Sequence, residues 1–224
     1  MTGKSKQLEW IQPQQARSRK RLELLLDAGE ALMGEKGLDQ ATVAEIAERA
    51  GSSVGAFYTR FPDKDALFYS VLQRFYEQLT ATVQEATAPA RWADVPADKM
   101  VDHMLAFALH MVDQQRHVIA SMIARAPRDA RVRAYLLRAR DLIIERCIAL
   151  LKARQDLAAT PDVEPRCRAL MWLLLAAFPM AAIFGGDAVS DVEPEEVVRQ
   201  LRALVLRQLG IDAQSPSPER RALN

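Results

Sequence analysis

The sequence predicts an all-α fold of about nine helices, and three observations lead to this prediction. Glycine and proline number only nine and eleven in 224 residues, whereas residues that favour helices, such as alanine, leucine, arginine and glutamate, are abundant. Apolar residues recur at three- and four-residue intervals through most of the chain. Sustained alternation of polar and apolar residues between turn signals is absent from the sequence, so we expect no sheet.

The first helix is expected after a polar segment, residues 1–14, that we interpret as a flexible arm. Gly37 follows the helix as a typical C-terminal stop, because glycine adopts the left-handed conformation without strain. The apolar face of this helix consists of residues at helical spacing, namely Leu22, Leu25, Leu26, Gly29, Leu32 and Met33.

Two short helices are predicted next. Thr42 and Glu45 have the spacing of a capping box, which fixes the start of the second helix, and Gly51 ends it. Ser53 can cap a third helix over residues 54–60. The buried side of this helix should contain two aromatic residues, Phe57 and Phe61.

The fourth helix is long and begins after Pro62. This proline lacks a backbone donor and disfavours helix at the preceding residue, so the chain breaks there and restarts with Asp63 as the cap. Its buried face should contain Leu67, Val71, Leu72, Phe75 and Leu79.

A loop over residues 89–96 is expected to separate this first part from five further helices. Gly210 follows the last helix, and the tail over residues 214–224 is expected to be disordered. The five helices are predicted at 97–115, 117–126, 129–157, 163–185 and 194–209. We therefore divide the chain into an arm (1–14), an N-terminal domain (15–68), a larger domain (69–213) and a tail.

One stretch, residues 169–186, carries no charge and has two interpretations. A membrane span needs about 20 apolar residues. This stretch reaches the lower limit only, contains Pro179 and ends in two glycines. We favour a helix that is buried on two sides, by the core and by a subunit interface.

Charge is distributed unevenly although the net charge is only +1. Four basic residues are packed together in the first helix: Arg17, Arg19, Lys20 and Arg21. Such a cluster on a near-neutral chain suits a protein that touches DNA with one end, but it is equally typical of a solvated helix start.

The two cysteines, Cys147 and Cys167, lack the spacing of a metal site. Each lies among apolar helix residues, so we expect buried free thiols in a reducing compartment. The first residues lack the apolar region of a signal peptide, and we expect a cytoplasmic protein without a membrane partner.

The short second and third helices have the spacing of a helix-turn-helix. Ala47 and Gly51 lie four residues apart, and Phe57 follows six residues later. Small residues let two helices cross closely, while the aromatic residue holds the second helix against the core. An ordinary helical hairpin has the same spacing, so spacing alone leaves DNA binding open.

The segment TVAEIAERAGSSVGAFYTRFPDKDALFYSVL, residues 42–72, closely resembles the DNA-binding domain of the TetR family of transcriptional regulators. The matching positions are Ile46-Ala47, Ala50-Gly51, Gly55, Tyr58, Phe61 and Lys64. The resemblance covers about 50 residues, including the first helix, and its spacing is fixed across three helices. The remaining chain resembles the family only in length and in its all-helical pattern.

The resemblance implies a recognition helix that reads DNA. Residues that can face DNA are Ser53, Val54, Ala56, Tyr58 and Arg60, and Gly55 allows close approach to the groove. Positions that usually hold phosphates match Thr42, Tyr58 and Lys64, and Arg17 and Arg19 can add contacts from the basic cluster of the first helix. Val54 stands where the family often has a long polar residue. Since Val54 and Ala56 can only pack on thymine methyls, readout should depend on Tyr58, Arg60 and DNA shape.

The resemblance also implies a homodimer and an effector pocket in the larger domain. The interface residues would be Leu174, Phe178, Ala181, Val197, Leu201, Leu204 and Val205. The pocket would be lined by Met100, Met104, Phe107, Met111, Met122, Trp172 and Phe178, although each of these is also typical of plain core. The expected function is a repressor that a small apolar or amphipathic ligand releases from a near-palindromic operator.

Catalysis and metal binding are the weaker hypotheses. His103, His110 and His117 are spaced by seven, which places neighbours about 10.5 Å apart along a helix, too far for one metal ion. We find no nucleophile motif, glycine-rich phosphate loop or carboxylate pair, and expect neither an enzyme nor a cofactor. A helical small-molecule-binding protein or enzyme without DNA binding remains the alternative.

Overall fold

The computed structural model describes residues 5–37, 40–158, 160–184 and 194–211, and the side chains of 17–37, 40–157, 160–176 and 196–211. Within these ranges the chain forms eleven helices and no strand. In chain order they are α1 (Ser5–Lys36), α2 (Val43–Arg49), α3 (Val54–Tyr58), α4 (Lys64–Ala86), α5 (Pro89–Trp92), α6 (Ala97–Gln114), α7 (Arg116–Arg125), α8 (Ala130–Ala153), α9 (Gln155–Ala158), α10 (Val163–Phe184) and α11 (Pro194–Gln208). The all-α prediction is confirmed, and the predicted number of about nine helices is corrected to eleven in the described part.

The two additional helices are short and depend on tertiary contacts. Helix α5 lies in the segment predicted as a loop, where Trp92 Nε1 donates a hydrogen bond of 2.7 Å to Ala86 O. The predicted helix over 129–157 is interrupted at Arg154, which has an extended backbone with φ −92° and ψ 110°. The Arg154 guanidinium donates to Trp92 O and Val95 O at 2.6 and 2.7 Å, and these contacts hold the break between α8 and α9.

The first helix and the division of the chain also differ from expectation. Helix α1 begins at Ser5 and so includes most of the segment interpreted as an arm, whose lysine, glutamine and glutamate residues all favour helix. The proposed tail, 214–224, lies outside the described residues. The chain divides into two compact units between Tyr76 and Glu77, inside α4, rather than after residue 68. We call them the N-terminal and C-terminal units.

The N-terminal unit is built around a close approach of α1 and α4. A Cβ atom on Gly29 would lie 2.8 Å from Leu67 Cδ2, so only glycine leaves room for this leucine. The predicted faces of both helices are largely buried, and α4 additionally buries Phe68, which the predicted face omitted. Gly37 and Gly51 have φ of +79° and +58°, which confirms both predicted helix ends.

In the C-terminal unit, α10 packs against α6, α7, α8 and α11, and α11 also packs against α6. An ion pair fastens α11 to α6, with Arg202 Nε 2.5 Å from Asp102 Oδ1. The core consists of Trp92, Met100, Val101, Leu105, Ile144, Ile148, Leu150, Leu151, Leu157, Cys167, Leu206 and Leu209. Among the residues that the structure describes, no helix combines the length and hydropathy needed to cross a bilayer. The side chains of residues 177–186, the second part of the uncharged stretch, lie outside those described.

Candidate nucleic-acid interface

Helices α2 and α3 form a compact helix-turn-helix. The turn is closed by Ser52 N, which donates to Ala47 O at 2.8 Å. Ile46, Ala47 and Phe57 are fully buried on the inner side of the pair. The predicted roles of Ala47 and Phe57 are therefore confirmed. Gly51 is exposed and a Cβ atom there would meet nothing within 4 Å, so this glycine serves the turn through its φ of +58° and not the close crossing of the helices.

The start of α2 is fixed by the predicted capping box. Thr42 Oγ1 accepts from Glu45 N at 3.2 Å, and Glu45 Oε2 accepts from Thr42 N at 2.8 Å. Lys36, at the end of α1, adds an ion pair of 2.5 Å to Glu45 Oε1. Hydrogen bonds from Lys36 and Thr42 lower the pKa of the exposed Glu45 to about 2. The sequence identified the box, but not the lysine that joins it.

The outer side of α3 is exposed and carries several of the predicted reading residues. Ser53 Oγ accepts from Ala56 N at 3.1 Å, which confirms the predicted cap. Val54 and Tyr58, four residues apart on one side of α3, are 43% and 54% exposed. Gly55 is also exposed, and Ala56 is half-buried. The helix therefore presents one shallow surface, with a tyrosine at one end.

Arg60 and Lys64 have contacts inside the N-terminal unit that spacing did not reveal. Arg60 Nη2 donates to both the carbonyl oxygen and the hydroxyl of Ser18 at 3.1 Å, which ties the end of α3 to α1. Lys64 Nζ donates to Ala41 O at 2.7 Å, which ties the start of α4 to the residue before Thr42. Both side chains hold the helix-turn-helix in place, whatever else they contact.

Basic residues extend the exposed surface along α1. Arg17, Arg19, Lys20 and Arg21 are all exposed. Because Arg60 binds Ser18, this basic segment lies beside the end of α3. The structure thus brings the predicted basic residues of α1 beside α3.

The predicted pocket residues are divided between core and surface. Met100 and Met122 are buried, Met104, Phe107 and Met111 are half-buried, and Trp172 is 52% exposed. Met100 belongs to the core around Trp92. Core packing alone accounts for the buried and half-buried side chains. A ligand-binding role for these residues therefore stays a prediction.

The predicted interface residues lie on α10 and α11. Val197 and Leu204 are 42% and 41% exposed, whereas Leu201 and Val205 pack partly against the core. Leu174 is half-buried, and the side chains of Phe178 and Ala181 lie outside those the structure describes.

A histidine and the two cysteines of the C-terminal unit have surroundings typical of structural residues and not of a metal or catalytic site. His103 Nδ1 is 2.8 Å from Lys99 O, and no group of metal-ligating residues occurs among the described side chains. Burial raises the pKa of the Cys147 thiol to about 12 and also raises that of Cys167. Both thiols are therefore protonated at neutral pH and are unreactive as nucleophiles.

Comparison with known proteins supports this interpretation of the N-terminal unit. Residues 25–71 match the model of the tetR family of bacterial regulatory proteins. The HTH-type transcriptional regulator YuxN of Bacillus subtilis is 38% identical over 55 residues, which are 25% of this chain and 19% of that protein. The HTH-type transcriptional repressor Rv1474c of Mycobacterium tuberculosis is 37% identical over 57 residues, or 25% of this chain and 30% of that protein. These matches span less than a third of either relative.

Longer matches exist at lower identity. The HTH-type transcriptional regulator UidR of Escherichia coli (strain K12) is 22% identical over 189 residues, 81% of this chain and 89% of that protein. A tetR-family transcriptional regulator from Streptomyces coelicolor shares the fold, with a TM-score of 0.65 and 18% identity over 91% of this chain and 95% of that one. PfmR, a TetR family transcriptional regulator from Thermus thermophilus, gives a TM-score of 0.60 and 18% identity over 82% and 97% of the two chains. Residues 25–71 thus match the tetR family of bacterial regulatory proteins, and the solved structures show that the chain shares the helical fold of such regulators.

Proposed function

We propose that the protein is a sequence-specific DNA-binding transcriptional regulator that acts in the cytoplasm as a homodimer. The exposed outer surface of α3, on a helix whose inner side is fully buried at Phe57, carries this proposal. A rigid helix with a shallow outer surface can enter the major groove, which is about 12 Å wide. The apolar Val54 suits a thymine methyl, and Gly55 lets the backbone come close to the bases.

Phosphate contacts are assigned to the basic residues beside α3. The exposed Arg17 and Arg19 can each reach a phosphate without giving up a buried contact. Lys64 and Thr42 lie at the starts of α4 and α2, where backbone N–H groups favour an anion. These contacts would set the overall affinity and leave sequence preference to α3.

DNA binding is tested by enriching bound duplexes from a random pool, which should yield a near-palindromic sequence with two half-sites. Arg17→Ala should weaken binding to all duplexes and lower the slope of log affinity against log salt by about one unit. Arg140→Ala is the matched control, since this arginine pairs with Asp141 on α8, in the C-terminal unit. No enrichment of any duplex by the purified wild-type protein at low salt would refute the function.

Dimerisation is assigned to the exposed apolar side of α10 together with α11. Ala169, Trp172, Leu173 and Ala176 follow one another at spacings of three, one and three, so they share one helix face, and all four are exposed. Trp172 and Leu173 are 52% and 58% exposed, which leaves large apolar side chains in water unless a second copy covers them. The neighbouring Val197 and Leu204 on α11 would complete a four-helix interface.

The interface is tested with a pair of leucines of equal exposure. Leu204 on α11 and Leu24 on α1 are both 41% exposed. Leu204→Asp should dissociate the dimer in sedimentation experiments, because it places a charge in an apolar interface. Leu24→Asp should leave the dimer intact, and equal behaviour of the two variants would show that the interface lies elsewhere.

The regulator is proposed to act as a repressor that an apolar or amphipathic ligand releases. The half-buried Met104, Phe107 and Met111 on α6 offer adaptable apolar lining. Since α4 contributes to both compact units, a ligand that shifts its second half has a route to the helix-turn-helix. Linkage then requires saturating operator to weaken ligand binding by the same factor, and an effector that binds equally with and without operator would refute this route.

A further inference from the structure

The C-terminal end of α4 is held by an arginine from another helix. Arg146 on α8 donates from Nε to Thr87 Oγ1 at 3.1 Å and from Nη2 to Gln84 O at 3.3 Å. The last carbonyl groups of a helix lack partners within it, and a cation is favourable at this end. Helix α4 has no basic residue in its own last turn, so Arg146 supplies the cation from α8.

Thr87 connects this arginine to the helix backbone. Its side chain is almost completely buried, and its hydroxyl donates to Val83 O at 2.6 Å while it accepts from Arg146. The single hydroxyl hydrogen is used on α4, so the oxygen lone pairs remain for the guanidinium. Ala86 O accepts from Trp92 Nε1 at 2.7 Å. The end of α4 is therefore specified by a few side-chain hydrogen bonds.

The Arg146 acceptors are neutral oxygens, and this sets the strength of the contact. A hydrogen bond with one ionised partner is about twice as strong as a bond between neutral groups, but the neutral acceptors of Arg146 do not add the attraction of an opposite charge that a carboxylate would supply. A contact of this kind can form and break without leaving an isolated buried charge, because Arg146 is only half-buried. It is therefore suited to an equilibrium between two positions of a helix end.

We propose that Arg146 is a positioning residue for DNA binding, because it sets how firmly the second half of α4 is held on α8 and thereby the fraction of molecules competent to bind an operator. This proposal rests on the proposed DNA-binding function and adds a point at which that function is regulated. A ligand that displaces α8 acts on α4 through this guanidinium. When the contact is lost, the end of α4 samples more positions, and the apparent affinity falls with the competent fraction.

The experiment uses the full chain, four variants and the additional variant Arg146→Lys. Arg146→Gln removes the charge and the fork, Thr87→Val removes the acceptor at nearly constant volume, and the double variant removes both. Arg140→Gln is the control, because Arg140 lies on the same helix and pairs with the neighbouring Asp141. Each protein is measured for amide hydrogen exchange at residues 83–87, for thermal stability and for affinity toward a duplex enriched by the wild type.

We expect Arg146→Gln and Thr87→Val each to accelerate exchange at residues 83–87 and to weaken operator binding, both by about three- to tenfold, the range that one or two lost hydrogen bonds give. The double variant should lose less than the sum of the two single losses, because both single changes remove the bond between Arg146 and Thr87. Each change also removes one bond of its own, from Arg146 to Gln84 O or from Thr87 to Val83 O. The control should match the wild type in both measurements. Arg146→Lys keeps the charge but not the planar guanidinium group, so its exchange rate and its operator affinity should lie between those of the wild type and those of Arg146→Gln. This variant also serves if Arg146→Gln fails to fold.

Two results would overturn the inference, and they differ from a failure of the function. Faster exchange and a lower melting temperature with unchanged operator affinity would make Arg146 a structural residue only. Additive losses in the double variant would mean that Thr87 and Arg146 act separately. If the wild type enriches no duplex, the proposed function itself fails. If the wild type binds DNA and the variants bind it with equal affinity, only the role of Arg146 is refuted.

Discussion

The two halves of α4 are held in different ways. In the first half, Leu67, Phe68, Val71 and Leu72 are at most 1% exposed, whereas Leu79, Val83 and Ala86 in the second half are 6–8% exposed. Arg74 at the end of the first half contacts three carboxylates, and Arg146 at the end of the second half contacts two neutral oxygens. The half that continues from the helix-turn-helix is more deeply buried and ends in ion pairs, while the other half is less completely buried and ends in hydrogen bonds to neutral groups.

The arginine of the first half has unusually many partners. Arg74 lies 3.1, 2.6 and 2.6 Å from carboxylate oxygens of Glu23, Asp27 and Glu30, which are spaced along one side of α1. Burial lowers the pKa of Arg74, but the hydrogen bonds that it donates to these carboxylates outweigh this effect, and the pKa lies above its ordinary value. The two halves of α4 therefore differ both in the packing of their apolar side chains and in their charged contacts. Each of these two contributions can be changed by its own mutation.

The largest effect on the free energy of unfolding is expected when one leucine in each half of α4 is replaced by alanine. Leu67→Ala should lower the free energy of unfolding by about 3–5 kcal/mol, and Leu79→Ala by about 2 kcal/mol, because the cavity left by the fully buried side chain collapses less. Chemical unfolding followed by circular dichroism, at one protein concentration, measures both. Equal losses would abolish the distinction in packing.

Removing the charge of Arg74 tests the second part of the comparison. Arg74→Gln should cost about 1–2 kcal/mol, because three neighbouring carboxylates then lose their common cation. The loss should shrink in high salt, where repulsion among these acids is screened. Arg140→Gln, which removes a partly exposed pair with Asp141, should cost less than about 0.5 kcal/mol. A similar cost for both arginines would contradict the special role of Arg74.

Gly29→Ala has a smaller expected effect whose sign depends on Leu67. Alanine gains about 1 kcal/mol in helix propensity, but its Cβ would lie 2.8 Å from the buried Leu67 Cδ2, and overpacking costs about 1–3 kcal/mol. We expect a net loss of about 1 kcal/mol in the wild-type background. In the Leu67→Ala background the same change should be neutral or stabilising, and a loss in both backgrounds would argue against this close contact.

The smallest effect concerns acid and the charged contacts of the N-terminal unit. The pKa of Glu45 is lowered from 4.5 to about 2 in the folded protein, so its contribution is fully present above pH 4.5 and is lost as the pH falls toward 2. Glu45→Gln should melt at a lower temperature than the wild type at pH 7, and the two melting curves should converge between pH 4.5 and 2. A constant difference across this range would exclude the ion pair with Lys36 as its cause. The neutral acceptors of Arg146 predict no such convergence for Thr87→Val.

Local signals explain which features the sequence predicted. Thr42 with Glu45, Ser53, Gly37 and Gly51 act within four residues of their partners, and the structure confirms all of these helix boundaries. The contacts of Arg60 and Lys64 cross 42 and 23 residues, and no spacing rule reaches so far. These long-range hydrogen bonds determine where the side chains of Arg60 and Lys64 are held in the folded unit.

The wrong predictions of helices also result from contacts between residues that are distant in the sequence. Helices α5 and α9 have four residues each, too few for a periodic pattern, and tertiary hydrogen bonds hold the chain beside them. The residues singled out on the last helix ended at Val205, yet the structure buries Leu206 and Leu209 in the core. Periodicity located the helix correctly but did not specify which side faces α6.

The way Arg154 is bound has a consequence for how this protein can diverge. Its guanidinium recognises the main-chain oxygens of Trp92 and Val95, and Asp156 accepts from its other nitrogens at 2.8 and 2.6 Å. Main-chain oxygens are the same for every amino acid, so the two exposed residues between Trp92 and Val95 can be exchanged without loss of the contact. One inserted or deleted residue would instead move one oxygen out of reach. This corner is therefore tolerant of substitution and intolerant of changes in length.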